Sequence, residues 1–102
     1  MSIYYKFKGS LSFETKEEAE KQFVKLSSNE NGIFWRPKPM PVKGIFLENH
    51  KIRIESEGFC GGGSYFDTQE LIRESAGFAK SGKVMCYEGD DENDGSYDYI
   101  LV

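Results

Sequence analysis

The residues that could do chemistry are few. One histidine, His50, and two cysteines, Cys60 and Cys86, stand in a chain of 102 residues. Cys60 precedes Gly61-Gly62-Gly63-Ser64, and a glycine run ahead of a helix can aim backbone amides at an anion. The run lacks the Lys-Ser/Thr ending of a P-loop and the spacing of G-x-G-x-x-G. Asp67 and Glu70 would also repel an anion from the first turn of the helix that follows. A Cys–His dyad would have to join Cys60 to His50, and nothing in their spacing brings them together. A small enzyme or ligand-binding domain using Cys60 and the Gly61–Gly63 loop is the alternative those residues offer. Without such a site, Cys60 is a half-buried structural thiol and Cys86, inside a strand pattern, belongs to the core.

Carboxylates make the strongest pattern. From Glu88 to Val102 there are six acids (Glu88, Asp90, Asp91, Glu92, Asp94 and Asp98) and no Lys or Arg. Asp90, Glu92, Asp94 and Gly95 match the first half of a calcium loop, whose alternating oxygens point at one ion. Such a loop needs a bidentate Glu at the twelfth position, and Leu101 stands there. The flanks read as strands rather than helices, so the segment is expected to be a solvated turn with no bound metal.

The charge is unevenly spread along the chain. Its net value is −4, and the last fifteen residues alone carry −6. The remaining 11 acids against 13 bases leave residues 1–87 at +2. Arg36, Lys38, Lys43, Lys51 and Arg53 concentrate the positive charge. Neighbouring like charges repel until salt or a partner screens them. Tyr87, Tyr97 and Tyr99 lie among the acids, and a rigid amphipathic ring beside steering charge suits an interface. The expected partner-binding surface is therefore Tyr87, Glu88, Asp90, Asp91, Glu92, Asp94, Tyr97, Asp98 and Tyr99. Its expected partner is a basic protein, such as a nuclease or a nucleic-acid-binding complex. The basic stretch, interleaved with Phe34, Trp35 and Phe46, has the makings of a single-strand binder. An acidic pI near 5.0 argues against nucleic acid as a partner. Trp35 is either a core residue or an exposed anchor.

These residues need elements to hold them. Ile3, Tyr5 and Phe7 alternate with polar neighbours, the period of a half-buried strand. Gly9-Ser10 is expected to bend or bulge it before Leu11 and Phe13 resume. Thr15-Lys16-Glu17-Glu18 is a capping box opening a helix whose Ala19, Phe23 and Leu26 form one apolar stripe. Ile33–Arg36 suggests a short strand, and Pro37, Pro39 and Pro41 an extended loop. Gly44–Leu47 and Lys51–Glu55 flank Asn49-His50 as a hairpin, with Ile52 and Ile54 facing in. Gly58–Ser64 reads as a flexible connection to a second helix, capped by Ser64 or Asp67 and stopped at Ser81-Gly82. Its buried side would be Leu71, Ile72, Ser75, Ala76 and Ala79. Lys83–Tyr87 and Tyr97–Val102 are the closing strands around an acidic turn at Gly89–Gly95.

The expected fold class is α+β, in the order β-α-β-β-α-β-β, as a single domain over residues 1–102. An antiparallel or mixed sheet would carry two helices on one face, as a ferredoxin-like variant. No run of eighteen apolar residues and no signal-peptide block is present, so a cytoplasmic location without membrane contact is expected. In that compartment both thiols would be free. An open edge at Tyr97–Val102 would allow a homodimer by strand addition.

The opening Tyr4-Tyr5 strand, the Phe-Asp-x-x-Glu-Leu helix at Phe66–Leu71, Tyr87-Glu88-Gly89-Asp90 and the closing aromatic strand together resemble small bacterial proteins of immunity or phage-accessory type. The resemblance lies in the architecture of most of the chain and carries over no functional residue. It implies inhibition by tight binding and no more; with no catalytic constellation among the residues, no catalysis and no cofactor are expected. The target would be a toxin for an immunity protein. For a phage anti-defence protein it would be a nucleic-acid channel, blocked by carboxylates that mimic phosphate.

Overall fold

The computed structural model describes Ser2–Val102. The elements run β1 (Ser2–Ser12), α1 (Lys16–Ser28), β2 (Ile45–Glu48), β3 (Lys51–Gly61), α2 (Gly62–Ala76), β4 (Ser81–Asp91) and β5 (Asp94–Leu101). The five strands form one antiparallel sheet in the order β2-β3-β1-β4-β5. β3 thus sits between β1 and β2, which α1 connects. β1 in turn sits between β3 and β4, which α2 connects. The two β-α-β units interleave, and β5 extends the sheet past β4.

β1 works as the period-2 pattern requires. Tyr5, Phe7 and Leu11, with Phe13 just beyond the strand, are buried on the side that meets the helices. Gly9 falls in the same inward row. The strand neither bends nor bulges there, because Gly9 keeps its register with Ile54 on one side and Val84 on the other. Its φ is +153°, and a Cβ at that position would run into the Lys83 carbonyl oxygen. The glycine lets β1 and β4 close up rather than breaking the strand. Gly82, with φ +146°, does the same opposite Leu11.

α1 is capped as its sequence predicts, for the Glu18 amide donates to Thr15 Oγ1 at 3.1 Å. The Glu18 carboxylate is engaged elsewhere: it accepts from Gln22 Nε2 at 2.9 Å. Gln22 is buried, and its Oε1 accepts from Ser75 Oγ of α2 at 3.1 Å. A satisfied polar bridge therefore crosses the otherwise apolar seam between the helices. Both helices touch β3, so they share one face of the sheet. Their Ala19, Leu26, Tyr65, Ile72 and Ala76 join the inward strand residues in one core. Tyr65 stacks on Phe7 with ring centroids 5.1 Å apart. No helix among the described residues is long and apolar enough to cross a membrane.

Several local expectations give way. Ile33–Arg36 is not a strand: Ile33-Phe34 form a turn, and Trp35-Arg36 are irregular. The Ile33 amide donates to Thr68 Oγ1 at 2.7 Å, and Pro37 bars extension, so Phe34 enters the core from a loop. Gly58–Ser64 is no flexible connection. β1 offers ladder partners as far as Gly61, and α2 begins at the next residue with Gly61 as its N-cap. No side chain caps it, so neither Ser64 nor Asp67 has that role. α2 ends at Ala76, with Gly77 capping it, and Ser81-Gly82 already belongs to β4. The acidic turn shrinks to Glu92-Asn93, because β4 continues through Asp91 and β5 starts at Asp94.

The glycines divide into two kinds, and substitution separates them. A Cβ at Gly63 meets nothing within 4 Å. Gly63→Ala should raise stability by about 0.5 kcal/mol, by restricting the unfolded chain and favouring the helix. Gly9→Ala should lower it by about 2 kcal/mol or more, because backbone atoms of β4 block the added carbon. Urea unfolding followed by far-UV circular dichroism measures both.

Candidate functional site

Strand alternation places the expected surface residues on different faces. On β4 and β5, Tyr87, Tyr97 and Tyr99 point away from the helices, in register with outward residues of β1. Tyr87 faces Lys6 and Tyr97, and Tyr99 faces Met85. Glu88 and Asp98 fall on the helix side. Asp98 accepts from Arg73 of α2 at 2.8 Å and from Gln69 at 3.4 Å. Its charge is therefore answered by a cation, and Asp98 does not belong to an uncompensated patch. Tyr99 is also drawn away, lying beneath the Lys83 ammonium at 4.7 Å from ring centroid to Nζ.

The remaining acids do gather. Asp90, Asp91, Glu92 and Asp94 are exposed at the tip of the β4–β5 hairpin. A register shift between Gly89 and Asp91 leaves Asp90 outside the pairing. Asp91 Oδ1 accepts from the amides of Asn93 at 2.8 Å and Asp94 at 2.9 Å, which fixes the turn. None of the four makes an ion pair among the described residues. Arg53 is committed to Glu48 at 3.2 Å and Glu55 at 2.8 Å. It aligns with Ser10 of β1, whereas Gly89 aligns with Tyr4, so six residues of strand, roughly 20 Å, separate Arg53 from the tip. The uneven charge of the sequence is thus also uneven in space.

Aromatic rings support this tip. Gly89 and Gly95 face each other across the hairpin, and a Cβ on Gly95 would lie 2.7 Å from the Tyr87 ring. The missing side chains let Tyr87 lie flat along the strands, where its hydroxyl donates to the Asp91 carbonyl at 2.7 Å. Tyr97 packs beside Tyr87 with centroids 4.8 Å apart, and Tyr4 meets Tyr87 edge-on at 6.0 Å. Phe59 of β3 meets Tyr4 edge-on at 5.3 Å. A row Phe59–Tyr4–Tyr87–Tyr97 therefore crosses four strands. Its inner members are buried, and its ends, Phe59 and Tyr97, are 67% and 58% exposed. Lys6 Nζ lies over both inner rings, at 5.8 Å from Tyr4 and 5.7 Å from Tyr87.

Phe59, Tyr4, Lys6 and Glu57 were absent from the expected surface. The signal was present: if Ile52 and Ile54 face in, alternation carried on along β3 turns Glu57 and Phe59 outward. Reading Gly58–Ser64 as a loop hid it.

Cys60 and His50 do not meet. Cys60 aligns with Ile3 near one end of β3, and His50 lies in the β2–β3 turn at the other, roughly 30 Å along the strand. Both cysteines are free thiols. Burial raises the pKa of Cys60 and pushes that of Cys86 to about 11, the opposite of thiolate activation. Among the described residues no three His, Cys, Asp or Glu side chains are placed to hold a metal ion.

Compared with protein-family models, with curated proteins and with solved structures, the chain matches none.

The Tyr4–Glu57 contact leads to a pH test. The Tyr4 hydroxyl donates to Glu57 Oε2 at 2.7 Å. That bond, helped by burial, pushes Tyr4 up to about 12; the same bond, helped by the Lys8 and Lys6 charges and opposed by burial, holds the Glu57 carboxyl below its ordinary 4.5. The Glu57 contribution to stability is present above the unfolded-state value and is lost as pH falls through the lower folded one. The Tyr4 contribution is full below pH 10 and is lost as pH rises through about 12. Tyr4→Phe should return the Glu57 carboxyl toward its ordinary value, read by carboxyl-carbon NMR titration, and flatten the acid limb of the stability curve.

Proposed function

We propose that the chain is a non-catalytic inhibitor of a basic protein, of the immunity type and acting in the cytoplasm. Its scaffold, on this reading, is a ferredoxin-like variant with β5 added beyond β4. One observation carries the proposal: four carboxylates without an ion pair stand at the hairpin tip, and the row of rings on the adjoining sheet face ends in the exposed Tyr97 of β5 and Phe59 of β3. Carboxylates in this setting steer a cationic partner from a distance and speed encounter. Rigid rings then supply buried contact area at small entropic cost. The tip is narrow, a two-residue turn on paired strands, so it suits insertion into a cationic groove such as that of a nuclease. Compared with the surface expected from sequence, the proposed one drops Glu88 and Asp98, which face the helices, Tyr87, which is buried, and Tyr99, and it gains Phe59.

The test is a pull-down against a panel of basic nuclease toxins, followed by binding kinetics on any partner captured. The neutralised variant D90N/D91N/E92Q/D94N keeps an oxygen acceptor at residue 91, so the turn survives. It should bind at least about tenfold more weakly, through a slower association that salt no longer affects. The second variant, F59A/Y97A, should instead dissociate faster. Equal binding by wild type and the neutralised variant would remove the tip from the mechanism.

A further inference from the structure

The basic, aromatic stretch around Trp35 has no part in the proposed tip, and it builds a site of its own. The outer flank of α1 and the segment from Trp35 to Val42 enclose a groove of about 640 Å³ near the β2 edge of the sheet. That volume lies in the range of small-molecule sites. Phe23 and Val24 of α1 line it together with Trp35 and Met40. Val24 and Met40 are well exposed although apolar. Trp35 is neither core nor free anchor: it is half-buried in the wall.

The charge of the groove is one-sided. Arg36 and Lys38 line it, and no carboxylate does. Neither cation makes an ion pair among the described residues. One Arg36 nitrogen donates to the Trp35 carbonyl at 3.2 Å, which holds the guanidinium at the wall with further donors to spare. An apolar trough with unopposed cations is complementary to a ligand with an apolar body and an anionic head.

We propose that this groove binds an amphiphilic anion, an apolar chain or ring bearing one carboxylate, whose head pairs with Arg36 and Lys38. The site lies at the far edge from the acidic tip and does not depend on the inhibitor proposal.

Trp35 is the only tryptophan of the chain, so its emission reports occupancy directly. The probes are octanoate, cyclohexanecarboxylate and the neutral 1-octanol, each titrated into the full chain. Octanoate should shift Trp35 emission saturably and bind about tenfold more tightly than 1-octanol, the value of one charge-assisted contact. The variant R36Q/K38Q, altered only at unpaired cations, should melt like wild type and lose that preference. Met40→Glu should weaken octanoate by a similar factor, since it sets a carboxylate in the trough. If cyclohexanecarboxylate binds more tightly than octanoate the ligand body is a ring, and the reverse order makes it a chain. The proposal is overturned if 1-octanol matches octanoate, if R36Q/K38Q keeps the preference, or if neither anion gives a saturable shift.

Discussion

The structure depends on β1 being a strand with two different faces and two long neighbours. Its odd-numbered residues Tyr5, Phe7 and Leu11 build the floor of the core beneath both helices. Its even-numbered residues Tyr4, Lys6 and Lys8 face the other way. Each residue from Tyr4 to Ser12 is paired on both sides, to β3 and to β4. A one-residue slip against either neighbour would exchange the two faces and expose the core row. Gly9 makes the contact with β4 tight, because a Cβ there would meet the backbone of Lys83 and Val84, so the register tolerates only glycine at that place.

The outer face inherits its order from the same register. The inner rings of Phe59–Tyr4–Tyr87–Tyr97 are buried without any helix above them, because neighbouring side chains cover them. Lys6 caps two rings with its ammonium, and Glu57 takes the Tyr4 hydroxyl. Aromatic and cation–π contacts of this kind hold a solvent-facing sheet surface rigid. On the proposed reading that rigidity lowers the entropy lost on association at the tip.

Charge is partitioned by edge. The β5 edge ends in unpaired carboxylates, and the β2 edge carries the trough with Arg36 and Lys38. Between them the ion pairs Arg53–Glu48, Arg53–Glu55 and Arg73–Asp98 are local, and their screening by solvent leaves them modest in energy. They chiefly decide which charges are paired and which stay free.

Patterns of short range were legible in the residues alone. Thr15 announced its cap, Asn49-His50 its hairpin, and the inward Ile52 and Ile54 their face, because each follows from dihedral preference or strand period within a few residues. The clustering of Asp90 to Asp94 at one turn was legible for the same reason. The fate of Asp98, the packing of Phe59 on Tyr4, the Gln22–Ser75 bridge and the passage of β3 straight into α2 were not. Each joins residues far apart in the chain, and strand pairing decides them. A sequence records which side chains can alternate, cap or repel. Only the assembled sheet determines which strand lies beside which, and with it which charges find a partner and which remain exposed.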